Sequence, residues 1–259
     1  MYREAMPTAI VVVCTPEGFV LGSDSLGNDI KGSSRDSEQK ILSAEAPSWT
    51  LGYGLSGAAS ILDDETGVDI FKEECKRVAE ELKTKNPIDL GAYAETFALM
   101  LGGRIRTQMT QLSPAQDQCA RLDFAGYFKT VPSMAKRVIR FHQGAVSVSQ
   151  RDDKLPSRPN DRYLVGSEKI ASLLAESDAD EFAKYKKPAF KKLAGNVEVS
   201  LQEAVEAAKS YIEACFTTKA RELDPACKFI GGHVWIATLT SAEGFKWFET
   251  PVQAPVKRG

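Results

Sequence analysis

The sequence has few histidines and no paired cysteines. His142 and His233 are the only two histidines among its 259 residues, which argues against Ser-His-Asp or Cys-His catalysis and against most zinc sites. The five cysteines are odd in number and form no C-x-x-C pair, so the sequence predicts neither a disulfide framework nor a metal centre. We expect no cofactor and no bound metal.

Long apolar runs and a strong net charge are also lacking. No run approaches the roughly 20 apolar residues of a membrane helix, and the opening MYREAMP is too short and too polar for a secretory signal. We therefore expect a cytoplasmic protein with no membrane partner. The formal net charge of −2 gives no general electrostatic reason to bind nucleic acid, and no nucleic-acid partner is expected.

The chain does contain alternating groups of strand-like and helix-like segments. Strand patterns cover residues 8–14, 19–23, 40–42, 49–55, 122–126, 137–141, 145–149, 232–239 and 245–248. Helical periodicity covers 68–82 and 90–112, with Gly102-Gly103 predicted to weaken or kink the second helix. A capping-box pair, Ser200 and Glu203, predicts the start of a third helix. This order favours one α+β domain of two packed sheets with helices outside.

One candidate site follows from the first predicted hairpin. If the turn is centred near Pro16, opposed residue numbers sum to about 32, so that Thr8 faces Asp24. Lys40 opens a strand after a polar loop and is a plausible third member, because a lysine near a carboxylate can orient a hydroxyl. The residues alone leave another interpretation open: a strand-start threonine, a turn aspartate and a solvated lysine.

The run TAIVVVCTPEGFVLGSDS, the Lys40-Ile41 pair and the later LGYGLSGAAS resemble the opening of proteasome β-subunits and their bacterial relatives. In that family a nucleophilic Thr begins the mature chain, with an Asp 16 residues and a Lys 32 residues further on. Thr8, Asp24 and Lys40 reproduce both intervals. The resemblance implies a four-layer αββα sandwich of the N-terminal-nucleophile hydrolase type, with residues 1–7 as a propeptide and 8–259 as a single domain.

The resemblance also implies a reaction and further site residues. Thr8 would attack a peptide carbonyl, with its freed α-amino group as general base, which makes the chain a threonine-type endopeptidase. Gly57 in SGAAS would supply an oxyanion N–H, Ser167 would position the terminal amine, and Asp224 is a looser match to a family aspartate. The implied partners are an unfolded protein or peptide substrate and further copies in a homo-oligomeric ring. The sequence does not identify a partner ATPase.

The sequence departs from the family pattern at three positions. Pro7 stands where the family has Gly before the nucleophile, Leu26 replaces an Arg, and Ile230 replaces a Ser. Two alternatives therefore stay open beside the peptidase. One is a non-catalytic subunit that retains residues 1–7 and has an assembly or binding role, and the other is an amidase acting on a small amide, which a compact pocket would favour. The lysine-rich helical segment 178–196 is expected to present a solvated face or, alternatively, a contact with a partner.

Overall fold

A computed structural model describes residues 8–28, 34–35, 38–63, 65–85, 87–112, 118–150, 152–176 and 180–249. Its strands are β1 (Ile10–Cys14), β2 (Phe19–Asp24), β3 (Gly27–Asn28), β4 (Ser34–Arg35), β5 (Ile41–Ala46), β6 (Trp49–Gly57), β7 (Gln118–Phe128), β8 (Val131–His142), β9 (Ala145–Gln150), β10 (Arg162–Val165), β11 (Val234–Thr240) and β12 (Gly244–Glu249). Its helices are α1 (Ile70–Lys83), α2 (Leu90–Leu112), α3 (Glu168–Ala175), α4 (Pro188–Ala194), α5 (Leu201–Cys215) and α6 (Thr218–Leu223), with 3₁₀ segments at Asp180–Tyr185 and Pro225–Phe229. The proposed propeptide and Pro7 lie outside the described residues.

The strands form two antiparallel five-stranded sheets and one short hairpin. The first sheet has the order β10-β1-β2-β11-β12, the second has the order β5-β6-β7-β8-β9, and β3 pairs with β4. Three buried apolar clusters accompany them. One joins the second sheet to α1 and α2, another joins the first sheet to the C-terminal helices, and the third contains residues of both sheets. β1 is therefore buried on both faces.

The predicted register of the first hairpin is wrong by one residue. β1 and β2 pair Ile10 with Ser23 and Val12 with Leu21, so opposed numbers sum to 33 and Asp24 lies opposite Ala9. The reason is the turn, which closes with reciprocal backbone hydrogen bonds between Thr15 and Gly18 and is centred after Pro16. Thr8 is consequently not the cross-strand partner of Asp24, and another group must connect them.

The helix α2 is continuous through Gly102 and Gly103, where the sequence predicts a weakened or kinked helix. A Cβ atom on Gly102 would lie 2.8 Å from Val146 and 3.1 Å from Ile139. The missing side chain thus lets α2 pack closely on β8 and β9, and this packing offsets the low helix propensity of glycine.

The capping box at the start of α5 is confirmed. Ser200 Oγ accepts from the Glu203 N–H, and the Glu203 carboxylate accepts from the Ser200 N–H. Within residues 180–196, Phe182, Ala189 and Leu193 are buried in the cluster under the first sheet, while Lys184 and Lys191 are exposed. The many lysines of this segment occupy the other face. Because lysine dominates the composition of the segment, the sequence did not predict its apolar contacts.

Candidate active site

Lys40 is the residue that joins the predicted catalytic side chains. Its Nζ donates to Thr8 Oγ1 at 2.5 Å, to Asp24 Oδ1 at 2.8 Å and to the Leu26 carbonyl oxygen at 2.7 Å. An ammonium group has three donors and no acceptor, so all three donors are used. Because Thr8 Oγ1 must accept this hydrogen bond, its own proton remains available for donation to a base.

Asp24 lies fully buried at the end of β2 and fixes the position of Lys40. Its Oδ1 also accepts from the Ala9 N–H at 3.0 Å, and its Oδ2 accepts from the Gly231 N–H at 3.2 Å. Burial raises the pKa of Asp24, while the Lys40 ammonium and the two backbone donors oppose that rise. A buried carboxylate with these partners is a fixed counter-ion, and it does not face Thr8 directly.

Thr8 precedes β1, with 7% of its surface exposed. The pairing of β1 with β10 ends with Ile10 opposite Val165, so the segment that leads from Val165 to Ser167 continues toward Thr8. A Cβ on Gly166 would lie 3.4 Å from the Thr8 carbonyl oxygen, which agrees with this placement. Ser167 is also the N-cap of α3, because its Oγ accepts from the Ile170 N–H at 3.1 Å.

Gly57 ends β6 with φ of +79°, a conformation that favours glycine. The Leu55 N–H donates to the Lys40 carbonyl at 2.8 Å, whereas the Ala58 N–H donates to Cys119 on the other side. N–H groups alternate along a strand, so the Gly57 N–H points to the same side as that of Leu55, beyond the start of β5. Gly57 lines the same pocket as Lys40 and Thr8.

Asp224 takes a different position from the other predicted residues. It ends α6 and caps the 3₁₀ segment that follows, accepting from the Ala226 N–H at 2.9 Å. Within the described part of the chain, no hydrogen bond joins Asp224 to Thr8, Asp24 or Lys40. Its established role here is a cap, and the sequence prediction of a catalytic role depends on the family match alone.

Two residues of the site were missed from the sequence. Gly231 supplies the N–H that binds Asp24, and its carbonyl accepts from the Ser25 and Leu26 N–H groups. Glu38 lines the pocket beside Thr8. It lies two residues before Lys40, and residues at that spacing share a face of an extended chain, a signal that could have identified it.

Neither a metal centre nor a membrane helix is found in the described residues. Those ranges contain no group of three or more His, Cys, Asp or Glu side chains placed to hold a metal ion. Among their helices, none is both long and apolar enough to cross a membrane.

The fold is similar to solved structures of Anbu proteins. The helical assembly of the Anbu complex from Pseudomonas aeruginosa matches with a TM-score of 0.53 and 13% identity, over 95% of this chain and 88% of that chain. Anbu (ancestral beta-subunit) from Yersinia bercovieri matches with a TM-score of 0.49 and 14% identity, over 92% of this chain and 86% of that chain. No protein-family model and no curated protein matches the sequence.

These neighbours correct the family expected from the sequence. The match at a TM-score of 0.53 is to an Anbu protein, and Anbu proteins are related to proteasome subunits but form a distinct family. The expectation of a proteasome β-subunit-like chain is therefore wrong at the level of the family. The chain has the fold of an Anbu protein.

Proposed function

We propose that the chain is an Anbu-like N-terminal-nucleophile hydrolase that cleaves peptide bonds with Thr8. The observation that carries this proposal is the position of Lys40 Nζ, within hydrogen-bond distance of both Thr8 Oγ1 and Asp24 Oδ1. We further propose that the two sheets and their outer helices correspond to the four-layer αββα sandwich of such hydrolases.

The proposed reaction begins with hydrolysis of the Pro7–Thr8 bond, which frees the Thr8 α-amine. That amine titrates near pH 8, so a substantial fraction is neutral at cellular pH and can accept the Thr8 hydroxyl proton. Lys40 stabilises the developing charge on Oγ1 while that atom attacks the substrate carbonyl. The Gly57 N–H receives the oxyanion. The amine product leaves with a proton, and water then hydrolyses the acyl-enzyme.

Ser167 and Asp224 have supporting roles in this proposal. Ser167 ends the segment that leads from β10 toward Thr8 and would hold the freed amine in place. Asp224 would act through the 3₁₀ segment that it caps, because this segment leads to Gly231 and so to Asp24. We also propose that several copies assemble. The Anbu complex from Pseudomonas aeruginosa is a helical assembly, so we propose either a ring or an open helical arrangement for this chain.

Intact mass spectrometry tests the first step of the reaction. The wild type is expected to lose residues 1–7 on incubation, whereas a Thr8→Ala variant is expected to keep them. Thr8→Ser retains a hydroxyl and serves as the matched control, with processing expected. Full-length mass in all three proteins would contradict self-processing and would favour the non-catalytic alternative.

The shape of the pocket supports a second candidate, an amidase acting on a small amide. The pocket beside Thr8 has a volume of about 20 Å³, which is room for about one water molecule. Hydrolysis rates of a single-residue amide and of peptides of increasing length separate the candidates. The kcat/KM of an endopeptidase is expected to increase with peptide length, whereas that of an amidase is expected to decrease.

A further inference from the structure

The pocket beside Thr8 has one acidic side chain in its described lining. Thr8, Lys40 and Glu38 line it together with Leu26, Ser60 and other uncharged residues. Lys40 is neutralised by Asp24 at 2.8 Å. The remaining charge of the lining is therefore that of Glu38, whose surface is 9% exposed.

Glu38 belongs to a group of three charges in which Glu38 is buried and Lys72 and Asp69 are partly buried. Lys72 Nζ lies 3.0 Å from Glu38 Oε1 and 3.3 Å from Asp69 Oδ2. Asp69 in turn accepts from the Ser60 hydroxyl at 3.0 Å. Two carboxylates share one ammonium, so the group has a formal charge of −1. In a partly desolvated pocket this excess charge acts on a ligand more strongly than it would in water.

Glu38 is also held in place by its neighbours. A Cβ on Gly27 would lie 1.4 Å from Glu38 Oε2, so the carboxylate fits against Gly27 only because that residue has no side chain. Lys72 holds the other oxygen. The carboxylate is thus positioned before a ligand arrives, which reduces the entropy cost of binding.

We propose that this pocket receives a lysine side chain of the substrate and that Glu38 binds its ammonium group. The inference rests on the proposed hydrolase function and names its substrate class. The pocket has a volume of about 20 Å³, which is room for about one water molecule, and an ammonium group is close to a water in size. The apolar stem of lysine would lie outside this volume, against the protein surface. A guanidinium group is larger and planar, so lysine is favoured over arginine.

Turnover of four matched peptides tests the preference. They differ only in the residue before the cleaved bond, which is lysine, norleucine, arginine or glutamate. The wild type is expected to cleave the lysine peptide with a kcat/KM about tenfold above that of the norleucine peptide. A ratio of this size is what one charge-assisted hydrogen bond at a partly exposed site would contribute. Glutamate is expected to be the poorest.

Three variants assign the preference to Glu38. Glu38→Gln keeps the shape of the side chain and is expected to bring the kcat/KM values of the lysine and norleucine peptides close together. Lys72→Met leaves two carboxylates unneutralised and is expected to increase the lysine preference. Glu45→Gln removes an exposed carboxylate from the same strand region and is expected to change nothing. Equal lysine and norleucine rates in the wild type would overturn the inference while leaving the hydrolase proposal in place.

Binding to a Thr8→Ala variant separates failure of the two proposals. Calorimetry measures the affinity of the lysine and norleucine peptides without turnover. It is carried out on Thr8→Ala and on the double variant Thr8→Ala with Glu38→Gln. Tighter binding of the lysine peptide that depends on Glu38 supports the pocket even if the wild type hydrolyses nothing. Absence of any lysine preference in both binding and turnover would overturn the inference.

Discussion

At the scale of single residues, Lys40 is the group whose removal is expected to have the largest effect. Lys40→Met leaves the fully buried Asp24 carboxylate without its cation. Breaking a buried ion pair in this way costs about 3–5 kcal/mol. We expect a drop of this size in the free energy of unfolding, measured by urea titration, and loss of hydrolysis because Thr8 Oγ1 loses its only charged donor in the described site.

A double variant separates the two effects of Lys40. Lys40→Met combined with Asp24→Asn removes the unpaired charge, and it is expected to recover part of the lost unfolding free energy but none of the activity. Equal stability of the single and double variants would contradict the account of Asp24 as a buried counter-ion.

Asp123 provides a test of pH dependence away from the site. It is fully buried, and burial raises its pKa, although Arg121 at 3.0 Å and Lys136 at 3.9 Å oppose the rise. The folded state then keeps the proton at pH values where the unfolded chain has lost it. The contribution of Asp123 to the unfolding free energy therefore falls as pH increases through the window above the ordinary aspartate pKa.

The measurement compares the wild type with Asp123→Asn, which cannot titrate. The unfolding free energy of the wild type minus that of the variant is expected to decrease as the pH is raised above the ordinary aspartate pKa of about 4. An increase over this range would mean that the two cations outweigh burial and lower the pKa of Asp123.

At the scale of secondary-structure elements, the end of β6 contains a glycine with positive φ that is also the proposed oxyanion donor. Gly57 has φ of +79° and Gly67, in the loop before α1, has φ of +67°. Alanine is strained at both positions, by about 1 kcal/mol. We expect Gly57→Ala and Gly67→Ala to lower the unfolding free energy by similar amounts, but only Gly57→Ala to lower kcat, since Gly57, unlike Gly67, lines the pocket beside Thr8.

Equal loss of kcat in both variants would point to general destabilisation. Unchanged kcat in Gly57→Ala would remove Gly57 from the proposed oxyanion site. The measurements are urea titration for stability and initial rates on one peptide at saturating concentration for kcat.

The elements also differ in how far the sequence predicted them. Strong hydrophobic periodicity predicted β1, β2, β6, α1 and α2, and the capping box predicted the start of α5. β10 was missed because four residues, RYLV, are too few to establish a period. The predicted register of the hairpin depended on the centre of one turn. Because the register is shifted by one residue, Asp24 lies opposite Ala9 and not opposite Thr8.

The candidate site was predictable only in part for a related reason. Thr8, Asp24 and Lys40 were found by their intervals, because these residues follow one another along one continuous stretch. Gly231 reaches Asp24 from more than 200 positions away, and no local pattern indicates such a contact. The three-charge group of Glu38, Lys72 and Asp69 likewise joins a loop to α1, so it depends on packing that the sequence does not specify locally.

At the scale of the whole molecule, the proposed assembly depends on residues of the outer surface. Leu99 lies on α2 with 55% of its surface exposed, although most apolar residues of that helix are buried. Single exposed apolar residues are common in monomers. If the proposed assembly uses α1 and α2 as a contact surface, a second copy of the chain packing there would bury Leu99.

Leu99→Glu tests this surface, with Val131→Glu as its matched control. Val131 has 45% of its surface exposed and begins β8 after a tight turn, on a different element. Light scattering coupled to size-exclusion chromatography should give a lower mass for Leu99→Glu than for the wild type, and an unchanged mass for Val131→Glu. A charge introduced into a packed interface must be desolvated without a partner, which opposes association. If both variants keep the wild-type mass, α2 is not the contact surface, and if the wild type is monomeric, the proposed assembly fails.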